Sequence, residues 1–191
     1  MPEYGANAFI WIDDWTVEKG NYAIAEAGRL GFDFIEIPLM KPDKFEAKPA
    51  RETLKKAGIG ATASLILPEY AHMPAHPREA REFLVKVLEG LEAVGGTYLC
   101  GCIAFAGGVF TGEPPTQAER EVCIETLGEV CLEARKRGIK VGLECVNRYE
   151  TYLYNALVDG RETVKAVGLD NFELHADTYH MNIEEEGFYQ P

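Results

Sequence analysis

Hydrophobic and polar positions along this chain keep switching between two periods, and a glycine marks each switch. A helix-period segment, a glycine and a short apolar run recur in AGRLGFDFIEI (Gly31), KKAGIGATASLIL (Gly58), EAVGGTYLCGCI (Gly95, Gly96), RKRGIKVGLECV (Gly138) and KAVGLDNFEL (Gly168). Before the glycines, Phe83, Val87, Leu91 and Val94 form one helical stripe, and Ile124, Leu127, Cys131 and Ala134 form another, with charged residues filling the other face. The glycines suit the left-handed position that ends a helix. In three cases Arg29, Lys55 and Lys56, or Lys136 and Arg137 occupy the last turn, where a cation favours the helix dipole.

The apolar runs read as buried strands near residues 5–11, 33–38, 59–67, 97–103, 139–145 and 172–176. Strands alternating with helices predict a parallel sheet covered by helices. A doubly wound nucleotide-binding sheet would place G-x-G-x-x-G after its first strand, and no such motif follows residues 5–11. The segments after the strands (WIDDWT, PEYAHMPAHP, AFAGGVFTGEPPT, NRYETYLYN, DTYHMNIEEE) are long and rich in reactive side chains, and those before the strands are short. That asymmetry predicts an α/β barrel of the TIM, (β/α)8, type with function at the C-terminal strand ends. Gly31 to Gly168 spans four units in 168 − 31 = 137 residues, so eight units would need roughly 270 residues. The expectation is therefore a single domain over 1–191 holding about six βα units, C-terminally incomplete.

Composition narrows the class further. The 191 residues are 47% hydrophobic and 26% charged, ordinary for a globular chain and incompatible with disorder. No apolar run is long enough for a membrane span, and the first residues lack the features of a signal peptide. Lys and Arg number 19 against 31 Asp and Glu, a net charge of −12, which argues against nucleic acid or an anionic membrane as partner. Five irregularly spaced cysteines predict reduced thiols and a cytoplasmic protein.

Two segments carry the candidate chemistry. Glu144 ends the fifth strand in GLECVNRYE and is expected to share a face with Val141 and Leu143. A carboxylate ending a buried strand needs a partner, either Arg148 or another cation as a structural pair, or a metal or substrate at a barrel mouth. Glu150 follows six residues later. In LHADTYHMNIEEE, His175 and Asp177 fall two apart and His180 follows, a set that suits a divalent metal or a polyol. Asp177 as a helix cap and His180 as a surface residue is the simpler alternative. Cys100 and Cys102 read as core thiols. His72 and His76 flank Pro74, so helical i,i+4 ligation is not expected, and Gly107-Gly108 lacks the spacing of a phosphate cradle. Trp11 and Trp15 are expected to wall a pocket.

GLECVNRYE (142–150) and DTYHMNIEEE (177–186), with GANAFIW (5–11) and Trp15, LGFDFIEI (30–37) and LPEY (67–70), resemble the D-tagatose/D-psicose (allulose) 3-epimerase family of the xylose isomerase-like superfamily. The resemblance implies a (β/α)8 barrel with a divalent metal, usually Mn²⁺ with Mg²⁺ or Co²⁺ as alternatives, acting on a small free ketose with inversion at C3. One glutamate removes the C3 proton to give a cis-enediolate, and a second glutamate returns a proton to the other face. On this sequence the resemblance implies that Glu144 is both metal ligand and catalytic glutamate and that Asp177 is a metal ligand. Glu150 and His180 would contact the substrate near C1 and C2. Asn7 stands where many members carry an aromatic residue against the far end of the sugar, and the family's further metal-ligating histidine and second catalytic glutamate have no matching positions in these residues. The expectation is thus a ketose 3-epimerase, open to assembly as a homo-oligomer, whose 191 residues alone are a poor catalyst. A hydroxypyruvate isomerase-like or inosose dehydratase-like enzyme and a non-catalytic scaffold are the alternatives.

Overall fold

The glycines that separate the two periods do adopt the left-handed conformation: Gly31, Gly58, Gly95, Gly138 and Gly168 have φ between +66° and +86°. They are the joints of a computed structural model that describes residues 2–187, so Met1 and 188–191 of the expected 1–191 domain lie outside the described residues. In chain order the elements are β1 (Gly5–Asn7), α1 (Val17–Leu30), β2 (Phe34–Pro38), α2 (Ala47–Ala57), β3 (Gly60–Leu67) and α3 (Pro77–Val94). They continue as β4 (Tyr98–Ala106), α4 (Gln117–Lys136), β5 (Lys140–Glu144), α5 (Leu157–Val167), β6 (Phe172–His175) and α6 (Thr178–Glu184). The strands form one sheet in sequence order, each neighbouring pair parallel, with β1 and β6 at its two ends.

The first strand is shorter than the expected 5–11. Asn7 accepts the Phe9 N–H at 2.8 Å and caps a turn over Ala8–Ile10, drawing the chain out of the ladder once Asn7 has paired with Glu36. The fourth strand is longer than expected. Its register against β3 jumps from Ile66 opposite Cys102 to Leu67 opposite Ala106, so the extra residues are accommodated by an irregularity in β4. Gly101 lies beside it with φ +106°, and a Cβ there would stand 2.3 Å from the Leu65 carbonyl oxygen. Only glycine fits.

The helices cover one face of the sheet. The buried cluster joins Ile24 and Ala27 of α1, Ile35 and Ile37 of β2, Leu65 of β3, Leu84, Leu88 and Leu91 of α3, Leu127 and Cys131 of α4, and Val141 and Leu143 of β5, each at most 1% exposed. Alternate strand residues, among them Glu36, Ser64, Cys100, Glu144 and His175, line the opposite, concave face. None of the described helices is long and apolar enough to cross a membrane.

The two glycine environments give opposite expectations for alanine. Gly101→Ala should cost more than about 2 kcal/mol, because both φ and the Leu65 backbone oppose a side chain. Gly128 lies inside α4, where an added Cβ would meet open space, and should gain roughly 0.5–1 kcal/mol as alanine. Urea unfolding of both variants checks this; equal midpoints would contradict it.

Candidate active site

The alternation of β5 places Glu144 differently from the sequence expectation. Leu143 and Cys145 point to α5, where a Cβ on Gly160 would touch Cys145 Sγ at 2.7 Å and Leu143 Cδ2 at 3.9 Å. Gly142 faces the other way, against the Tyr98 hydroxyl and His175. Glu144 shares that concave face with Gly142 and lies opposite Val141 and Leu143. A strand's period of two separates an even-numbered residue from odd-numbered ones, so it parts the three residues and does not group them.

On the concave face Glu144 meets the start of α6. Glu144 Oε1 stands 3.7 Å from His180 Nε2, and Asp177 Oδ2 stands 3.8 Å from the same nitrogen. One ligand atom from each of the three residues lies within 4.8 Å of the others. Asp177 satisfies both readings of its sequence position, because Oδ1 caps α6 by accepting Tyr179 N–H at 2.7 Å while Oδ2 faces Glu144 and His180. His180 is buried, so it is not a surface histidine. Glu150 approaches from the β5–α5 segment, its Oε1 3.8 Å from His180 Nδ1.

Arg148 does not neutralise Glu144. Its guanidinium is spent on Glu184, with Nη2 to Oε2 at 2.7 Å, and it holds that carboxyl below its ordinary range by hydrogen bonding. The cavity at the strand ends, about 250 Å³, is lined by Asn7, Glu36, Glu144, Glu150, Asp177 and His180 with Met40, Ser64, Ile66, Cys100 and Cys102, and by no described lysine or arginine. Burial pushes the Glu144 carboxyl up to about 7, and the negative charges of Asp177, Glu36 and Glu150 add to the shift. Two carboxylates converging in such a negative pocket, with an imidazole beside them, fit a divalent cation held by the carboxylates.

Two residues of the site were missed by sequence reasoning. Glu36 on β2 accepts from Asn7 Nδ2 at 2.6 Å and from the Cys100 thiol at 3.5 Å. Its signal was present, a lone carboxylate between Ile35 and Ile37, the same pattern as Glu144 between Leu143 and Cys145. Asn147 is almost fully buried and hydrogen-bonds both Glu150 and His180. Nothing in the alternation of the chain marks it, since it lies in a loop.

The other expected residues fall as follows. Asn7 lines the cavity with its amide turned to Glu36. Trp11 stands edge-on to Phe32 and Trp15 leans on Phe45, each beside a groove adjoining the cavity. His175 stacks near Tyr98, its Nδ1 3.5 Å from the hydroxyl, outside the Glu144 group. Cys100 and Cys102 are buried free thiols whose acidity is suppressed by burial. His72 is buried elsewhere, accepting Ala106 N–H at 3.2 Å.

The Glu144 shift has a measurable sign. The folded chain holds this proton up to about pH 7 while the unfolded chain releases it near the ordinary value of about 4.3. Its contribution to stability is therefore largest below that value and is lost as pH rises through 7. Without divalent ions, Glu144→Gln is expected to be more stable than the parent at about pH 8 by on the order of 2–3 kcal/mol and nearly equal at about pH 4. Chemical unfolding at the two pH values reads the difference; a gap that does not widen with pH would contradict the assignment.

Comparison with known proteins places these residues in company. The model of the family described as xylose isomerase-like TIM barrel matches residues 24–190. The chain is 37% identical to an L-ribulose 3-epimerase of Methylomonas sp. (strain DH-1) over 97% of its own length and 66% of the relative's. It is 33% identical to a ketose 3-epimerase of Arthrobacter globiformis, over 98% and 66%. A crystal structure of D-allulose 3-epimerase from Methylomonas sp. in complex with D-allulose matches with a TM-score of 0.92 and 36% identity, covering 97% of this chain and 65% of that one. The chain thus spans just under two thirds of the length of these relatives.

Proposed function

We propose, because this chain belongs to the xylose isomerase-like TIM barrel family, that its residues form the β1–β6 side of a ketose 3-epimerase site. The observation that carries the reading is the convergence of Glu144, Asp177 and His180 in one cavity at the C-terminal strand ends. The names of the relatives, L-ribulose 3-epimerase and ketose 3-epimerase, support the reaction class.

Glu144 and Asp177 would hold a divalent cation, Mn²⁺ in the first instance. When bound, that ion supplies Lewis-acid stabilisation of the charge that develops on a ketose as it loses a proton. The chain's own residues supply the rest. The Glu144 carboxylate takes the proton from C3, and inversion requires a second group on the opposite face to return one. His180 and Glu150 border the same space and hydrogen-bond the oxygens near C1 and C2. Asn7, backed by Glu36, meets the far end of the sugar.

Two carboxylates leave a cation short of its usual ~6 ligands, and the ends of the described sheet, β1 and β6, are not joined to each other. With Mn²⁺, the 191-residue polypeptide is expected to show negligible C3 epimerisation of free ketoses. The same residues within a barrel of the relatives' full length are expected to be active, and chelation of the metal should abolish that activity. Robust turnover by the 191 residues would refute the partition of the site. In the full-length barrel, Glu144→Gln should lower kcat by at least about 10²-fold, measured by the conversion of D-fructose and D-allulose; an unchanged rate would refute the role of Glu144.

A further inference from the structure

The segment after β5 folds around one side chain. Asn147 is 2% exposed and every polar atom it has is engaged. Its carbonyl oxygen accepts Glu150 N–H at 3.0 Å, and its Oδ1 accepts Tyr149 N–H at 3.0 Å. The second contact fixes the orientation of the amide, because only the oxygen can receive that N–H. Nδ2 is therefore the atom 2.7 Å from Glu150 Oε1 and 2.8 Å from His180 Nδ1. The backbone N–H of Asn147 reaches the same Nδ1 at 3.2 Å.

A ring nitrogen that receives N–H groups from two directions must offer them its lone pair. Neutral His180 then carries its proton on Nε2, the atom that faces Glu144 and Asp177. The opposite tautomer, which would free Nε2 to bind a cation, would aim an Nδ1 proton at two other protons. Asn147 itself is not among the residues lining the cavity.

We propose that Asn147 is a positioning residue that fixes the tautomer of His180 and the aim of Glu150, so that His180 presents a hydrogen-bond donor to the cavity and not a metal-binding lone pair. For a ligand the difference is chemical. A cation between Glu144 and Asp177 meets two carboxylates, whereas an oxygen of a polyol or ketose meets an N–H. The identity of that ligand rests on the function proposed above; the tautomer does not.

The experiment is ¹⁵N NMR of the imidazoles in the metal-free 191-residue chain at about pH 8, above the ordinary imidazole range, with His180 assigned by its loss in His180→Gln. The expected spectrum has Nε2 protonated and Nδ1 unprotonated; a proton on Nδ1 would overturn the proposal. Asn147→Asp keeps the side-chain volume and the acceptor for Tyr149 N–H but turns the donor into a carboxylate oxygen, and is expected to move the proton to Nδ1. Where that variant does not fold, Asn147→Ala leaves only the backbone donor and is expected to give a mixture of tautomers. In either variant a single unchanged Nε2–H state would show that the side chain sets nothing.

Mn²⁺ titration supplies the second readout. His180→Gln should change the affinity by less than about threefold, and Asp177→Asn should lower it by more than about tenfold. Equal losses would make His180 a ligand and overturn the proposal. If the 191 residues bind Mn²⁺ too weakly to titrate, the same comparison is made in the full-length barrel. Absence of Mn²⁺ binding there would refute the proposed function, and the NMR result decides the role of Asn147 by itself.

Discussion

One constraint governs this molecule: successive residues of a strand face opposite ways. In a parallel sheet with helices on one side, the odd residues of β5 meet α5 and the even ones meet the concave space. Each strand thus serves two environments at once, and the residue types follow. Ile35, Ile37, Val141 and Leu143 fill the layer under the helices, while Glu36, Cys100, Glu144 and His175 occupy the other side. A polar residue between two apolar ones is not a flaw in a core strand but a member of the second face.

The concave face collects negative charge without the cations that balance it elsewhere. On the outer surface, acids and bases pair in ordinary ways, such as Arg29 with Glu26 and Lys86 with Asp43, exposed contacts of little energetic weight. Arg148 is drawn off by Glu184, and Arg137 by Glu89, Glu92 and Glu133 at the far end of the helices. Burial, reinforced by the charge left in the cavity, raises the Glu144 carboxyl, and that charge suits a positive guest. The same arrangement that suits a positive guest raises the cost of ionising Glu144.

The fold was almost wholly legible because its punctuation is local. A left-handed glycine after a helical stripe is a property of a few adjacent residues, and Gly31 or Gly168 announces it without knowledge of the rest of the chain. The departures have specific causes too. Asn7 ends β1 early through a side-chain hydrogen bond that no hydrophobic pattern records. The irregularity of β4 depends on the approach of Leu65 to Gly101, a contact between strands. In the site, Glu144, Asp177, Glu150 and His180 stand out by residue type and position, although Glu144 faces the cavity and not the layer of Val141 and Leu143. Glu36 obeys the same alternation as Glu144 and was legible by it. Asn147 was beyond reach, since its importance lies in which atoms of distant residues converge on it.

Asn7 ends the first strand and, with the same amide, grips Glu36. A residue of the cavity wall is therefore also a hinge pin of the backbone. Exchanging this residue alters two traits together, the lining of the cavity and the end of β1, because a replacement that cannot accept Phe9 N–H removes the cap of the turn over Ala8–Ile10. A change at 7 is consequently coupled to the partner at 36 and to the turn at 8–10, since one side chain serves both.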